Sequence, residues 1–470
     1  MRNATVRPTM VKKEIFTRLS ILLILIGCSF LLAPRSWAQK PTTVTLKNGV
    51  RLLVQREPLA ETVTTCVFFE VGQADEGSYP GINALIARGW GRDTEFRSER
   101  SILADLAGVG SVSTDFGPDW VLLRGVSGGD PSDVRKMLQT LLTNLVATPR
   151  FTPEIVLSTR GALEDAAALE KDSLIRNALA TLRSRVWGIS AYGQSPVGSE
   201  GRLPLISAEA VERHYALLFR PQRCLVTMTG NVLPETMAQI VRASLGAAGW
   251  QVGRVPPKPP AVTIEEIPAN LPDKILPRSA PVSLTMLGYQ APGAISGAND
   301  YATLLVLDAA LCGGKSSRLF TTLREGDTPI GYDIRTILEI NRYRSLWAFT
   351  VIGDGDPIMV RDTLKRELAA VADNSRPLRD DEIARARAFV IAKHERERQR
   401  QPERAFALGW CELMGLSADT ELDFVARVNA VPSDAVNHLA TRILRTFPAV
   451  VYSQRFVVDN GTNREAVTGK

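Results

Sequence analysis

The stretch GDPSDVRKML at 129–138 returns as GDPIMVRDTL at 355–364, with Gly, Asp, Pro, Val, Arg and Leu in register. An echo between such distant parts of one chain constrains the fold more than any single motif, because it predicts that one structural unit is built twice. In the first copy Val134, Met137, Leu138, Leu141, Leu142 and Leu145 fall at i, i+3, i+4, i+7, i+8 and i+11, one apolar face of a helix. The proline near the start of each copy suits a first helical turn. A second pair, TPEIVLSTRGALED (152–165) and RDDEIARARAFVIA (379–392), shares Glu-Ile at nearly the same separation, Glu154-Ile155 against Glu382-Ile383. Between the copies, the stretch 255–281 carries eight prolines and little apolar periodicity, the composition of a semi-stiff linker. The expected organisation is a first repeat over 40–250, a linker over 251–281 and a second repeat over 282–470.

Strand-like and helix-like runs alternate inside each repeat. GVRLLVQRE (49–57) and TVTTCVFFEVG (62–72) read as paired strands, DWVLLRGVS (119–127) and RCLVTMTGNV (223–232) as two more. The second repeat offers VSLTMLGYQAP, the helix DYATLLVLDAALCG and the strand YRSLWAFTVIG. The expected class is α+β: two homologous α/β sandwiches, each a mostly antiparallel sheet with helices on one face.

The segment 1–38 reads as a leader. Lys12, Lys13 and Arg18 precede the apolar run Leu19–Ala33, and Ser36-Trp37-Ala38 fits a small-x-small cleavage site with Gln39 as the mature start. The expected location is therefore outside the cytoplasm, periplasmic or secreted. A retained leader, or a lipid on Cys28 of the box-like Leu25-Ile26-Gly27-Cys28, would instead tie the chain to a membrane. The leader holds six of the 56 Lys and Arg and one of the 50 Asp and Glu, so the mature chain carries a net charge of +1. That balance gives no reason to expect a nucleic-acid partner. Cys66, Cys224, Cys312 and Cys411 stand alone in apolar or small-residue settings and read as buried thiols. The only histidines, His214, His394 and His438, are far apart and not at ligand spacing.

Several stretches together resemble the insulinase-like (pitrilysin, mitochondrial processing peptidase) zinc peptidases: LKNGVRLLV, PGINALIARGWGRDT, the run from SAYGQSP to TMTGNV, and LCGGKSSRLFTTLREGDTPIGYDI with the preceding NDYATLLVLDAAL. The resemblance covers nearly all of the mature chain. It implies two homologous halves facing one another around a peptide-holding chamber. It also implies a helix carrying H-x-x-E-H, in which two histidines on one face bind zinc and the glutamate activates water. The matching positions here are Ala84, Ala87 and Arg88. Two methyl groups and a guanidinium supply no lone pair to a metal. Glu164, on a later helix-like run, matches the third ligand and is either its relic or a solvated helix carboxylate beside Arg160. No metal is expected in this chain.

The same resemblance assigns an Arg and a Tyr of the second half to substrate binding. They correspond to Arg324 and Tyr332, with one residue more between them than the usual pattern, through Asp327-Thr328-Pro329. A guanidinium and a phenol suit a peptide carbonyl and its developing oxyanion; a surface ion pair and a half-buried tyrosine are the plainer alternatives. GGKSS (313–317) lacks the phosphate-loop frame. The pattern predicts a non-catalytic subunit that completes the peptide chamber of a homologous H-x-x-E-H partner, in a heterodimer whose zinc sits in the partner. A structural or peptide-binding protein without a peptidase role is the alternative. A peptidase with relocated ligands is the third reading, and the dispersed histidines speak against it.

Overall fold

The computed structural model describes residues 40–199, 201–247, 250, 262–326 and 329–455. The leader with Cys28, the proline-rich 251–261 and the inserted Asp327-Thr328 lie outside these residues. From Lys40 onward the chain clusters as one compact unit.

Two sheets organise it. The first runs β1 (Thr42–Thr45), β2 (Arg51–Arg56), β6 (Cys224–Gly230), β3 (Thr62–Phe69), β5 (Trp120–Gly128), β4 (Gly110–Gly117). The second runs β7 (Lys274–Ala280), β11 (Ala449–Arg455), β8 (Ser283–Pro292), β10 (Arg344–Gly353), β9 (Asp333–Glu339). From β2 onward the first sheet maps strand for strand onto the second. In each, the first of these strands pairs in parallel with the last strand of its repeat, and the other ladders are antiparallel. The duplication read from GDP-x-x-VR is thus written in the strand order. Pro131 and Pro357 open equivalent helices, and Val134, Leu138, Val360 and Leu364 are buried at matching places.

Two expectations change. The 49–57 and 62–72 strands are not partners: β6 lies between them, and Thr227 stands opposite both Leu53 and Cys66. The reason is burial. Every residue of β6 is buried, so both of its edges need hydrogen-bonding partners. The proline-rich stretch also ends differently, because β7 falls within 255–281 and pairs with β11 as part of the second sheet. Ile267 and Leu276 pack into a core, so the run is seated on the second half rather than spanning solvent.

The helices cover both faces of each sheet, one face from within the repeat and the other from across the molecule. Ile82–Gly89, Pro131–Leu138 and Ala208–Leu218 bury their apolar residues with Leu52, Phe69, Val121 and Leu123 of the first sheet. Its second face, carrying Leu53, Phe68, Leu122 and Leu225, receives Ala405, Leu408 and Cys411 of the second-repeat helix Gln401–Met414. The equivalent first-repeat helix, Leu174–Trp187, returns the exchange: Ala178, Leu182 and Val186 pack on Leu284, Met286, Leu346 and Val451 of the second sheet. Close approach demands glycine at both crossings. A Cβ at Gly409 would lie 2.3 Å from the Phe68 ring and 2.5 Å from the Thr227 hydroxyl, and one at Gly288 would lie 2.9 Å from Leu182. No described helix is long and apolar enough to cross a membrane.

Candidate functional site

The helix Ile82–Gly89 starts where Gly81 takes a left-handed φ of 94°, a conformation that costs other residues energy, and a Cβ there would meet Gly198 at 2.8 Å. Its exposed N-terminal donors are met by Glu76, whose two oxygens accept from the Gly81 N–H at 3.0 Å and the Asn83 N–H at 3.2 Å. A carboxylate suits the positive end of a helix dipole. Asn83 in turn donates to the Gly72 carbonyl at 2.9 Å and meets Nε2 of His214 at 3.0 Å. Glu76 and Asn83 are both buried. Burial pushes the Glu76 carboxyl up to about 8, against the two backbone donors that pull it down. Burial, with the Arg223 guanidinium nearby, lowers His214 to about 4. His214 is a neutral ring holding an amide, and sequence reading found neither partner. The signal was present: an acid shortly before Gly81, and a histidine on an amphipathic helix.

Every residue of this helix except Arg88 is buried. Ala84 and Ala87 are 0% and 1% exposed and belong to the first-half core. Arg88 is exposed in the last turn, where a cation faces the negative end of the dipole. Glu164 lies half-buried on the helix Pro153–Asp172, which packs against Ile82–Gly89. Arg160 turns away from it and donates to the Ile206 carbonyl at 2.8 Å. The residues present do not fit a zinc ion. Of the positions that match the family's two histidines, one is the buried methyl of Ala84 and the other the exposed guanidinium of Arg88, and no three His, Cys, Asp or Glu among the described residues are placed to hold a metal.

A cavity of about 490 Å³ opens beside the free end of the helix, walled by Trp90, Ile102, Leu103, Leu106 and Leu145, with Arg88, Arg92 and Glu99 around it. The start of β4, Gly110 to Val112, also lines it. β4 is the outer strand of the first sheet, paired only with β5.

Arg324 and Tyr332 are held from behind and open in front. Arg324 ends the helix Arg318–Arg324 and is exposed. That helix is pinned at its start by a buried, bidentate ion pair, Arg318 to Glu382 at 2.7 and 2.6 Å. Burial pushes the Glu382 carboxyl up, but the hydrogen bonds from Arg318 and the Arg379 N–H outweigh it and hold the group below the usual carboxylate range. Tyr332 is 43% exposed, and its N–H donates to Ile352 at 3.0 Å, which fixes the residue just before β9. Neither side chain has a hydrogen bond or ion pair among the described residues. The surface ion pair expected as the plainer role for Arg324 is not seen there. The helix with Arg324 packs on Ala298–Cys312 and β9, so both residues sit in the second half, whereas Ala84, Ala87 and Arg88 lie on a helix of the first.

The halves meet through polar groups that the sequence did not flag. Arg342, in the turn between β9 and β10, pairs with Glu70, and its N–H donates to Asp119 at 2.9 Å. The Tyr192 hydroxyl donates to the other Asp119 oxygen at 2.6 Å. At the end of β9, Glu339 pairs with Arg183. Burial raises the Asp119 carboxyl above its ordinary range despite these donors.

Comparison with known proteins adds ancestry. Residues 205–390 match the family described as "Peptidase M16 inactive domain", a segment that contains Arg324 and Tyr332. An uncharacterized zinc protease of Streptomyces coelicolor is 24% identical over 86% of this chain and 88% of its own length. Among solved structures, a protease from Helicobacter pylori superposes with a TM-score of 0.78 at 13% identity, over 89% of this chain and all of that one. A peptidase M16 inactive domain from Pseudomonas fluorescens does so at 0.77 and 16%, over 90% of this chain and all of that one. At such identities the superpositions establish the fold.

Proposed function

We propose that this chain, whose residues 205–390 match the peptidase M16 inactive domain and whose sequence lacks H-x-x-E-H, is an insulinase-like family member and the substrate-holding subunit of a peptidase whose zinc lies in a homologous partner chain. The observation that carries the reading is the contrast between the two halves. The metal-binding positions are filled by buried Ala84 and Ala87 and by Arg88, whereas Arg324 and Tyr332 stand exposed and unpaired among the described residues on a well-anchored element. A guanidinium and a phenol held this way present donors to a peptide carbonyl without being engaged elsewhere. The chain contributes positioning and charge stabilisation, and the partner contributes the metal-activated water.

The leader-like segment 1–38 supports action outside the cytoplasm, where the partner would also be exported. The test uses the mature chain purified from its exporting host. Far less than one zinc per chain and no peptide cleavage alone are expected, with cleavage appearing when an H-x-x-E-H homologue is added. Stoichiometric zinc, or cleavage by the isolated chain, would contradict the reading.

A further inference from the structure

The replacement of a zinc ligand by Arg88 does more than remove a metal. It puts a fixed positive charge where a cation would have been, at the mouth of the cavity beside β4. Arg88 is exposed and has no acidic partner among the described residues. Arg92 shares that mouth, 2.6 Å from the Ser158 hydroxyl and a loose 3.9 Å from Glu99. Glu99 is the one acid in the lining, so two guanidiniums and one carboxylate leave it net positive. Behind them the walls are apolar, from Trp90, Ile102, Leu106 and Leu145. Gly110 to Val112 of β4 line the cavity as well, and among the described residues β4 pairs only with β5, so the N–H and C=O groups of its other edge are available to an added strand.

We propose that this cavity holds the free C-terminal carboxylate of an extended peptide, with Arg88 as the anchor, the last apolar side chain in the pocket and the peptide backbone paired to β4. The direction follows from charge. A peptide lying antiparallel to β4 brings its C-terminus to Gly110 and therefore to Arg88. A parallel one would bring its N-terminal ammonium against two guanidiniums, which repel it. Arginine is the side chain best matched to a carboxylate, through two parallel N–H donors. The proposal rests on the peptide-holding role argued above, and names the part of the peptide that this chain selects.

The test measures fluorescence anisotropy of the mature chain with a short, N-terminally labelled peptide of alternating apolar residues, made as the free acid and as the C-terminal amide. The acid is expected to bind about tenfold tighter, the scale of one charge-assisted contact. Arg88→Ala should bring that ratio to about one, Arg88→Lys should retain part of it, and backbone N-methylation of alternate residues should abolish binding of both forms. Equal binding of acid and amide, an unchanged ratio in Arg88→Ala, equally tight binding of an amide with an internal Glu, or no binding of any peptide would each overturn the proposal. Circular dichroism of both variants confirms that the fold is kept, since Arg88 is the one exposed residue of its helix. Partner-dependent cleavage that still needs Arg324 and Tyr332 would leave the subunit role standing even if Arg88 selects nothing.

Discussion

At the scale of single residues, the helix Ile82–Gly89 is a packing element whose start is held by a buried carboxyl. Ala84 and Ala87 are core, and the polar group that meets the helix's first N–H donors is Glu76, which no zinc motif would single out. Its titration makes a prediction with a definite sign. The folded Glu76 carboxyl, pushed up to about 8, binds its proton more tightly than the unfolded one, so its contribution to stability is present at low pH and lost as pH rises toward 8. His214 works in the opposite sense: lowered to about 4, it loses stability as pH falls below the ordinary imidazole range toward 4. Between pH 6.5 and 8 Glu76 dominates, and His214 offsets a minor part of its effect near pH 6.5, where the unfolded imidazole is still partly protonated. The wild-type unfolding free energy should fall there, with a slope of up to about 1.4 kcal/mol per pH unit. In Glu76→Gln that slope should flatten. Denaturant melts at pH 6.5, 7.25 and 8 decide it, and equal slopes in the two proteins would show that Glu76 stays charged against its backbone donors.

At the scale of elements, the sequence spoke clearly wherever periodicity and burial agreed. The helix from Pro131, the strands β3, β5, β8 and β10, and the helix Ala298–Cys312 all stand where their apolar patterns put them. It was silent on the outer strands. β4 reads GSVSTDFG and β9 reads DIRTILE, polar enough to pass for loops because an outer strand faces solvent along its rim. It also misled on pairing, since nothing local to β2 and β3 reveals that β6, from the far end of the repeat, inserts between them. The exchanged helices were illegible for the same reason: Leu174–Trp187 and Gln401–Met414 are amphipathic, but the pattern does not say which sheet they cover. Of the candidate site, the positions matching the zinc ligands and the Arg/Tyr pair could be read only as motifs, whereas the cavity at β4 exists only once the strand order is known. The exchange predicts unequal costs for adding one methyl. Gly409→Ala places a Cβ against the Phe68 ring edge and the Thr227 hydroxyl, both inside a sheet that cannot shift, and should destabilise by about 1–3 kcal/mol. Gly288→Ala meets Leu182 and Val186 at a looser 2.9 to 3.0 Å and should cost less. Urea midpoints of the two variants check the order, and the reverse order would mean that the Gln401–Met414 helix is not clamped on the first sheet.

At the scale of the molecule, the two halves are interlocked rather than strung on a linker. Each lends a helix to the other's sheet, and the Arg342–Glu70 and Arg183–Glu339 pairs tie the turns at their junction. Such a body fixes where the second half presents Arg324 and Tyr332, which is what a subunit needs if it is to hold a peptide for chemistry performed by another chain. The most direct measurement is steady-state cleavage by the complex with an H-x-x-E-H partner, comparing wild type with the Arg324→Ala, Tyr332→Phe double variant. Neither side chain is buried, so folding and association should survive. If the pair acts on the carbonyl as bond breaking begins, kcat should fall by about 10²-fold or more while KM changes little. Wild-type kcat and KM from the double variant in an otherwise active complex would mean that the pair takes no part in the chemistry.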